Sequence, residues 1–258
     1  MITTPHRIGV NLLWLVPGVV GGSEEYTTRL LAGLSARSHR DLEFVLFTLE
    51  PFREAHPDLA DAFETVVCPL LGRVKSARVG AENSWLYHQA QVNQIDLMHH
   101  AGGIMPAARS VPGVLTIHDL QPLIIPKRFT PVKREFSRRT IPPSARWARV
   151  VFTPSEHTRE SVIDRLGVEA DNIVVVPSAV APRQERQGMR EPSEVCLSYG
   201  IDGPFFLYPA ITYEHKNHRF LLEAFAELHQ THPEAQLCLL YTSPSPRDAT
   251  LSRMPSSA

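Results

Sequence analysis

The sequence predicts an α/β fold built on a parallel sheet, and three observations carry that prediction. Strand-like and helix-like patterns alternate through the first 180 residues, as they do when helices cover parallel strands. A glycine-rich turn follows the first apolar run, where such folds bring a ligand to a helix N-terminus. A polar, proline-bounded stretch starting at Ala181 then breaks the pattern, which restarts after Pro192.

The first strand is expected over residues 7–15, and Gly18, Gly21 and Gly22 punctuate the turn after it. Ser23 is suited to cap the next helix, which shows Tyr26, Leu30, Leu31 and Leu34 at helical spacing. Further strands are expected over residues 43–48, 95–99, 113–117 and 150–153, the last ending at Pro154. Ser155 caps a helix carrying Val162, Ile163 and Leu166, and Gly167 closes it. A strand over residues 173–176 ends at Pro177. Beyond the linker, residues 205–208 form a strand and Phe220, Leu221, Ala224, Phe225 and Leu228 mark one helix face. Gln236 opens the next strand; Cys238 to Ala258 are expected to pack poorly or adventitiously, with Leu239 and Leu240 able to extend that strand by chance.

Composition narrows the class. Of 258 residues, 43% are hydrophobic and 21% charged, an ordinary globular balance. A formal net charge of −1 gives no global drive toward nucleic acid, and none is expected as a partner. No uncharged apolar run reaches the roughly 18 residues a membrane span needs. Cys68, Cys196 and Cys238 show neither pairing nor metal spacing, which points to the cytoplasm.

Residues 238–258 differ in character, being rich in serine, threonine and proline without periodicity. Reverse translation of Cys238 to Asp248 and of Ser252 to Ala258 resembles the two ends of a transposon-type sequencing adapter. The expected organisation is therefore a domain over 1–180, a linker over 181–192, the start of a second domain over 193–237, and a non-native tail over 238–258. The residues after the linker are too few for an independent core.

Four features carry candidate chemistry. The turn of Gly18, Gly21, Gly22 and Ser23 lets a ligand approach backbone N–H groups, but lacks the dinucleotide-binding glycine spacing. Its alternative is a tight turn with no ligand, and Glu24 and Glu25 would repel a diphosphate. His118 and Asp119 follow a strand, where the carboxyl ends of parallel strands hold ligands. His118 can donate to a hydroxyl or phosphate oxygen, with Asp119 stabilising its charge or fixing its orientation; the alternative is a capping pair. His99 and His100 end a neighbouring strand, yet adjacent residues there face opposite ways, which argues against a three-histidine metal site. Lys216, Asn217 and Arg219 open the helix after the linker, where cations are unfavourable unless an anion such as a nucleotide diphosphate completes the site. Finally, residues 127–149 carry eight basic residues against one acid, Glu135, with Phe129, Phe136 and Trp147 interleaved. Such a run suits anionic lipid headgroups or a lipid-diphosphate acceptor, or is a solvated helix face.

Together these motifs resemble the family 4 retaining glycosyltransferases. The resemblance rests on Gly21-Gly22 after strand one, TIHDL around His118, VVFTPSEHTRE, DNIVVVPSAV and YPAITYEHKNHRFLLEAF, in that order. It implies a GT-B architecture: a Rossmann-like N-terminal acceptor-side domain, followed here by only the first βα unit of a donor-binding Rossmann-like domain. His118 falls on the family's active-site histidine and Lys216 on its diphosphate-binding lysine. The HKN string points to a mannosyltransferase-like subgroup using a GDP- or UDP-linked donor and a glycan or lipid-linked acceptor, with no cofactor and no metal. Cell-surface polysaccharide synthesis in the cytoplasm is the implied role, and the basic run over residues 127–149 is the candidate for peripheral contact with the inner face of the membrane. Ala210 stands where the family often has arginine, and Pro177-Ser178-Ala179 where it shows Pro-Asn-Gly. The paired-glutamate motif is missing, so the chain alone is expected to be inactive. Rival classes are a nicotinamide-dependent oxidoreductase, with Glu50 on a ribose, and a non-catalytic carbohydrate-binding module.

Overall fold

The computed structural model describes residues 5–37, 41–178, 190–210, 212 and 216–240. The chain divides into two compact units, Met1–Ala181 and Pro182–Ala258.

Unit one opens with β1 (His6–Asn11), α1 (Gly22–Ser35) and β2 (Leu42–Leu49). Two short helices, α2 (Phe52–Ala55) and α3 (Pro57–Ala62), lead into β3 (Glu64–Cys68). Then come α4 (Lys75–Asn83), α5 (Trp85–Val92), β4 (Leu97–His100) and β5 (Gly113–Thr116). The unit continues through α6 (Gln121–Ile124), α7 (Pro131–Trp147), β6 (Val151–Thr153), α8 (Glu156–Leu166) and β7 (Ile173–Val175). All seven strands are parallel, in the order β3-β2-β1-β4-β5-β6-β7. Winding therefore reverses between β1 and β4, and the crevice at such a reversal is where doubly wound sheets hold ligands.

The sheet is buried on both faces, which explains its nearly unbroken apolar strands. In β2 the alternation is visible residue by residue. Val45, Phe47 and Leu49 pack with Leu86, Ala90 and Met98, whereas Leu46 packs with Leu31, Phe52 and Leu59 on the other face. A third cluster joins Leu115, Val151 and Ile173 to Ile141 of α7 and Val162 and Leu166 of α8.

Several local expectations need correction. The first strand stops at Asn11, because Leu12, Leu13 and Leu15 bend into a turn and are buried there. Helix α1 is not capped by Ser23; its N-cap is Gly21, two residues earlier, whose carbonyl accepts from the N–H groups of Glu24 and Glu25. Gly21 sits at φ 61°, a backbone region that only glycine adopts freely. Strand β3 was not foreseen, since the alternation of Glu64 to Cys68 is short. The basic run forms helix α7, the helix face weighed above, and it does so with Pro142 and Pro143 inside it. Ser155 and Gly167 behave as expected: the serine hydroxyl accepts from the Thr158 N–H, and Gly167 ends α8 in the left-handed region.

Unit two holds α9 (Pro192–Ser198), β8 (Phe205–Pro209), α10 (His218–Thr231) and β9 (Gln236–Leu240). Helix α9 starts at the end of the stretch expected to be linker. Strands β8 and β9 pair in parallel, and β9 takes in Cys238, Leu239 and Leu240. Phe206, Leu207, Phe220 and Leu222 are exposed. The rest of the linker and of the unusual C-terminal segment, residues 181–189 and 241–258, lies outside the described residues.

Packing in the third cluster is expected to dominate unit-one stability. Leu115→Ala should cost about 2–5 kcal/mol. Ser155→Ala should cost roughly 1 kcal/mol through loss of the cap. Urea denaturation followed by circular dichroism checks both; equal midpoints for the two variants would contradict the assignment.

Candidate functional site

The site is built where β1, β4 and β5 end together. Asn11, the last residue of β1, is almost fully buried and uses its whole carboxamide. Its Nδ2 donates to Glu82 Oε1 at 3.0 Å and to His100 Nδ1 at 3.2 Å, while its Oδ1 accepts from the Leu13 N–H at 3.1 Å. The backbone carbonyl of Asn11 accepts from Trp14 Nε1 at 3.1 Å, and Arg78 Nη1 donates to the Trp14 carbonyl at 2.7 Å. The turn after β1 is thereby pinned at both its start and its indole. Gly102, just past β4, lies under the indole; a Cβ there would stand 2.4 Å from Trp14 Cγ.

His118 follows β5 and meets this turn. Its ring packs edge-on against Tyr26 of α1 at 5.0 Å between centroids and lies 6.5 Å from the Trp14 ring. Tyr26 donates through its hydroxyl to the Val176 carbonyl, which ties α1 to the residue after β7. His118 Nε2 lies 3.2 Å from the Ala101 carbonyl, which can only accept, so Nε2 carries the proton. Burial pushes the imidazole pKa down, partly offset by the Ala101 bond and the Asp119 charge. The neutral ring therefore spends its one donor on Ala101 and offers Nδ1 as an acceptor. A donor role toward a ligand oxygen requires protonation.

Asp119 acts on His118 through space. Its Oδ1 accepts from the Gln121 N–H at 3.0 Å and its Oδ2 from Gln121 Nε2 at 3.3 Å, which fastens the start of α6. His118 is instead oriented by Ala101 and the two aromatic rings.

The glycine turn reaches the same end of the sheet. Gly18 and Gly21 have positive φ, and open space surrounds the Cβ positions of Gly18, Gly21 and Gly22. Glu24 does not face a ligand: Oε2 accepts from the Gly18 N–H at 2.8 Å and Oε1 lies 2.9 Å from His56 Nε2. Glu25 pairs with Arg29 one helical turn on. Both carboxylates also suit the positive end of α1. Glu50, the residue weighed for ribose binding, is an exposed turn residue whose N–H is bonded to the Leu70 carbonyl.

His99 and His100 point to opposite sides of β4, toward Thr116 Oγ1 at 2.8 Å and Asn11 respectively. Burial, followed by the charge of His118, lowers the His99 pKa to about 4. Burial, then His99 and Arg109, lowers that of His100 to about 3. Burial also raises the Glu82 carboxyl, against the opposing pull of the Asn11 hydrogen bond. Among the described residues no group of three or more His, Cys, Asp or Glu side chains is placed to hold a metal ion. Sequence reasoning missed Asn11, Trp14 and Glu82. A glutamate amid the buried positions of an amphipathic helix was the available signal.

In unit two, Asn217 adopts the left-handed region at φ 51° and precedes α10. The Lys216 carbonyl accepts from the Tyr208 hydroxyl at 2.7 Å, which holds the loop against β8 and leaves the lysine side chain exposed. Arg219 Nε bonds Glu223 Oε1 at 2.8 Å along the exposed helix face. Residues 213–215 of the same motif lie outside the described residues.

The basic run becomes the turn around Arg128 and helix α7. Glu135 pairs with Arg138 and Arg139, Arg109 stacks over Trp147, and Lys133 lies over Phe129. Among the described residues no helix is long and apolar enough to cross a membrane.

A family model described as Glycosyltransferase Family 4 matches residues 20–184. No curated protein sequence matches the chain. The structure of Anabaena Alr3699/HepE in complex with UDP and glucose superposes with a TM-score of 0.57 at 16% identity, covering 91% of this chain and 60% of that one. A putative UDP-N-acetylglucosamine 2-epimerase from Listeria monocytogenes gives 0.59 at 11% identity, covering 97% and 66%. The lipopolysaccharide outer core galactosyltransferase WaaB in its apo form gives 0.51 at 14%, covering 96% and 64%. At these identities the likeness is one of fold, a Rossmann-like α/β architecture of the GT-B kind. The chain spans about three fifths of the length of the Anabaena protein.

Two titration outcomes are expected. By nuclear magnetic resonance, His118 should titrate below 6.5, and lower still in Asp119→Asn. His99 and His100 bind fewer protons folded than unfolded, so stability falls as pH drops from 6.5 toward 4. Glu82 has the opposite sense, since its raised pKa makes stability fall as pH rises above 4.5. Urea midpoints across pH 4.5–6.5 should thus decline on acidification. In His99→Gln/His100→Asn the slope should flatten or reverse; an unchanged slope would sink this account.

Proposed function

This chain belongs to glycosyltransferase family 4, and we propose that it supplies the acceptor-side half of a nucleotide-sugar transferase together with the opening of its donor-binding half. The observation that carries this reading is the place of His118: at the end of β5, half-buried against Tyr26 and Trp14, beside the reversal of the sheet. A neutral imidazole there accepts a hydrogen bond from an acceptor hydroxyl through Nδ1 and so aligns the attacking oxygen. Much of the rate gain in a two-substrate transfer comes from such alignment. The open backbone of Gly21 and Gly22 admits a polar ligand to the N-terminus of α1.

On the donor side, Lys216 is assigned to the diphosphate. Asn217 turns the chain so that α10 starts there, and Arg219, engaged with Glu223, plays the smaller part. The donor is a GDP- or UDP-linked hexose, mannose-like by the HKN string; UDP in the Anabaena complex supports a nucleoside diphosphate. The remaining elements of the proposal are retention at the anomeric carbon, a glycan or lipid-linked acceptor, a role in cell-surface polysaccharide synthesis and contact with the cytoplasmic membrane face.

The decisive experiment uses a protein of the neighbours' full length that begins with this sequence, assayed for acceptor-dependent release of nucleoside diphosphate from a panel of sugar nucleotides. Lys216→Ala should weaken donor binding roughly 10- to 150-fold by calorimetry, the worth of one charge-assisted hydrogen bond. His118→Ala should lower turnover on the order of 100-fold with little change in donor affinity. Wild-type turnover in His118→Ala, or unchanged donor affinity in Lys216→Ala, would overturn this assignment of parts.

A further inference from the structure

The starts of α4 and α7 face one another across a groove of about 530 Å³. Lys75 and Val79 line it from α4; Val132, Lys133 and Phe136 line it from α7. No acidic residue is among the groove's lining, and neither helix has one in its first turn. The nearest acid on α7, Glu135, is engaged by Arg138 and Arg139. Both lysines therefore stand at the positive ends of their helices, where cations are disfavoured. Lys75 also senses the field: burial first, then the charges of Lys133 and Arg78, push its ammonium pKa down. Two cations converge here with no counter-charge from the protein.

The walls are of the opposite character. Val132 is 81% exposed, and Val79 and Phe136 present further apolar surface. A bare inorganic anion would satisfy the lysines and leave these walls in water. A neutral lipid would cover the walls and leave the lysines facing one another. An amphiphile with a phosphate head does both.

We propose that the groove between α4 and α7 binds a single lipid phosphate, its phosphate between Lys75 and Lys133 and its first methylenes along Val79, Val132 and Phe136. Groove volume lies in the range typical of small-ligand sites. Taking the bound lipid as the carrier of the sugar acceptor rests on the transferase reading above. The binding itself does not, and is measured without turnover.

Calorimetry on the 258-residue protein with dodecyl phosphate, below its micelle concentration, tests the assignment. Dodecyl phosphate should bind at least about 10-fold more tightly than either inorganic phosphate or dodecyl maltoside. Lys75→Glu/Lys133→Glu should weaken it by about 100-fold or more, since two charge-assisted contacts are lost. Val132→Asp, at an exposed position that spares folding, should weaken it about 10-fold. Circular dichroism checks that each variant is folded. Equal affinity for inorganic phosphate would reduce the groove to a plain anion site and overturn the proposal. So would affinity unchanged by the substitutions, or co-sedimentation with phosphatidylglycerol vesicles with no binding of the monomeric amphiphile. Failure here leaves the nucleotide-release assay unaffected, and the converse also holds.

Discussion

The carboxamide of Asn11 is the interaction on which this end of the molecule depends. A parallel sheet whose winding reverses between β1 and β4 leaves a crevice that no crossover helix fills. Polar groups beside that crevice are buried and need partners from within the protein. Asn11 satisfies Glu82, His100 and the Leu13 N–H with one side chain, and its own carbonyl receives the Trp14 indole. Trp14 in turn stands over Gly102 and beside His118. The orientation of the candidate catalytic ring is thus inherited from a residue two strands away.

That arrangement also sets the electrostatics. Asn11 donates to His100 Nδ1, which requires that nitrogen to be an unprotonated acceptor, and burial enforces the same state. His99 is held neutral on the other face of β4. His118 lies near both strands yet feels Asp119 and the Ala101 carbonyl, which counter its burial. All three histidines are therefore held toward the neutral form, and they differ in what their ring nitrogens meet: Thr116, Asn11 and the Ala101 carbonyl. Only His118 is left with an acceptor nitrogen at the functional end.

Much of the architecture was legible because its signals are local. Short apolar runs such as Phe44 to Phe47 and Val150 to Phe152, bounded by polar or turn residues, read as strands, and Ser155 with Gly167 bracketed a helix. His118 and the glycine turn were legible by position, since chemistry in such sheets collects at strand ends. What escaped depended on distant partners. Nothing near Asn11 announces that residues 71 and 89 positions away complete its hydrogen bonds. Ser23 was the expected cap, yet Gly21 takes that place with a positive φ. Helix α7 runs through Pro142 and Pro143 against their helix propensity; the Ser144 hydroxyl donates to the Thr140 carbonyl beside them.

Local pairing decides which surface charges carry information. Arg138 and Arg139 share Glu135, Arg29 has Glu25, Arg219 has Glu223, and Arg7 bridges Glu43 and Glu64. Such exposed pairs contribute little to stability, but they cancel charge where it stands. Along α7 the one acid, Glu135, is taken by Arg138 and Arg139, and Lys133 has no carboxylate among its groove neighbours. Lys133, over the Phe129 ring, shares a groove with Lys75, whose ammonium pKa burial and then the Lys133 charge push down. The same reasoning separates Lys216 from Arg219 in unit two: the arginine has its carboxylate within the helix, whereas the lysine side chain is exposed at the helix start. A cation at the positive end of a helix is costly to the fold when alone. Such positions are therefore where an anionic substrate gains most on binding, and this chain places them at the start of α10 and in the groove between α4 and α7.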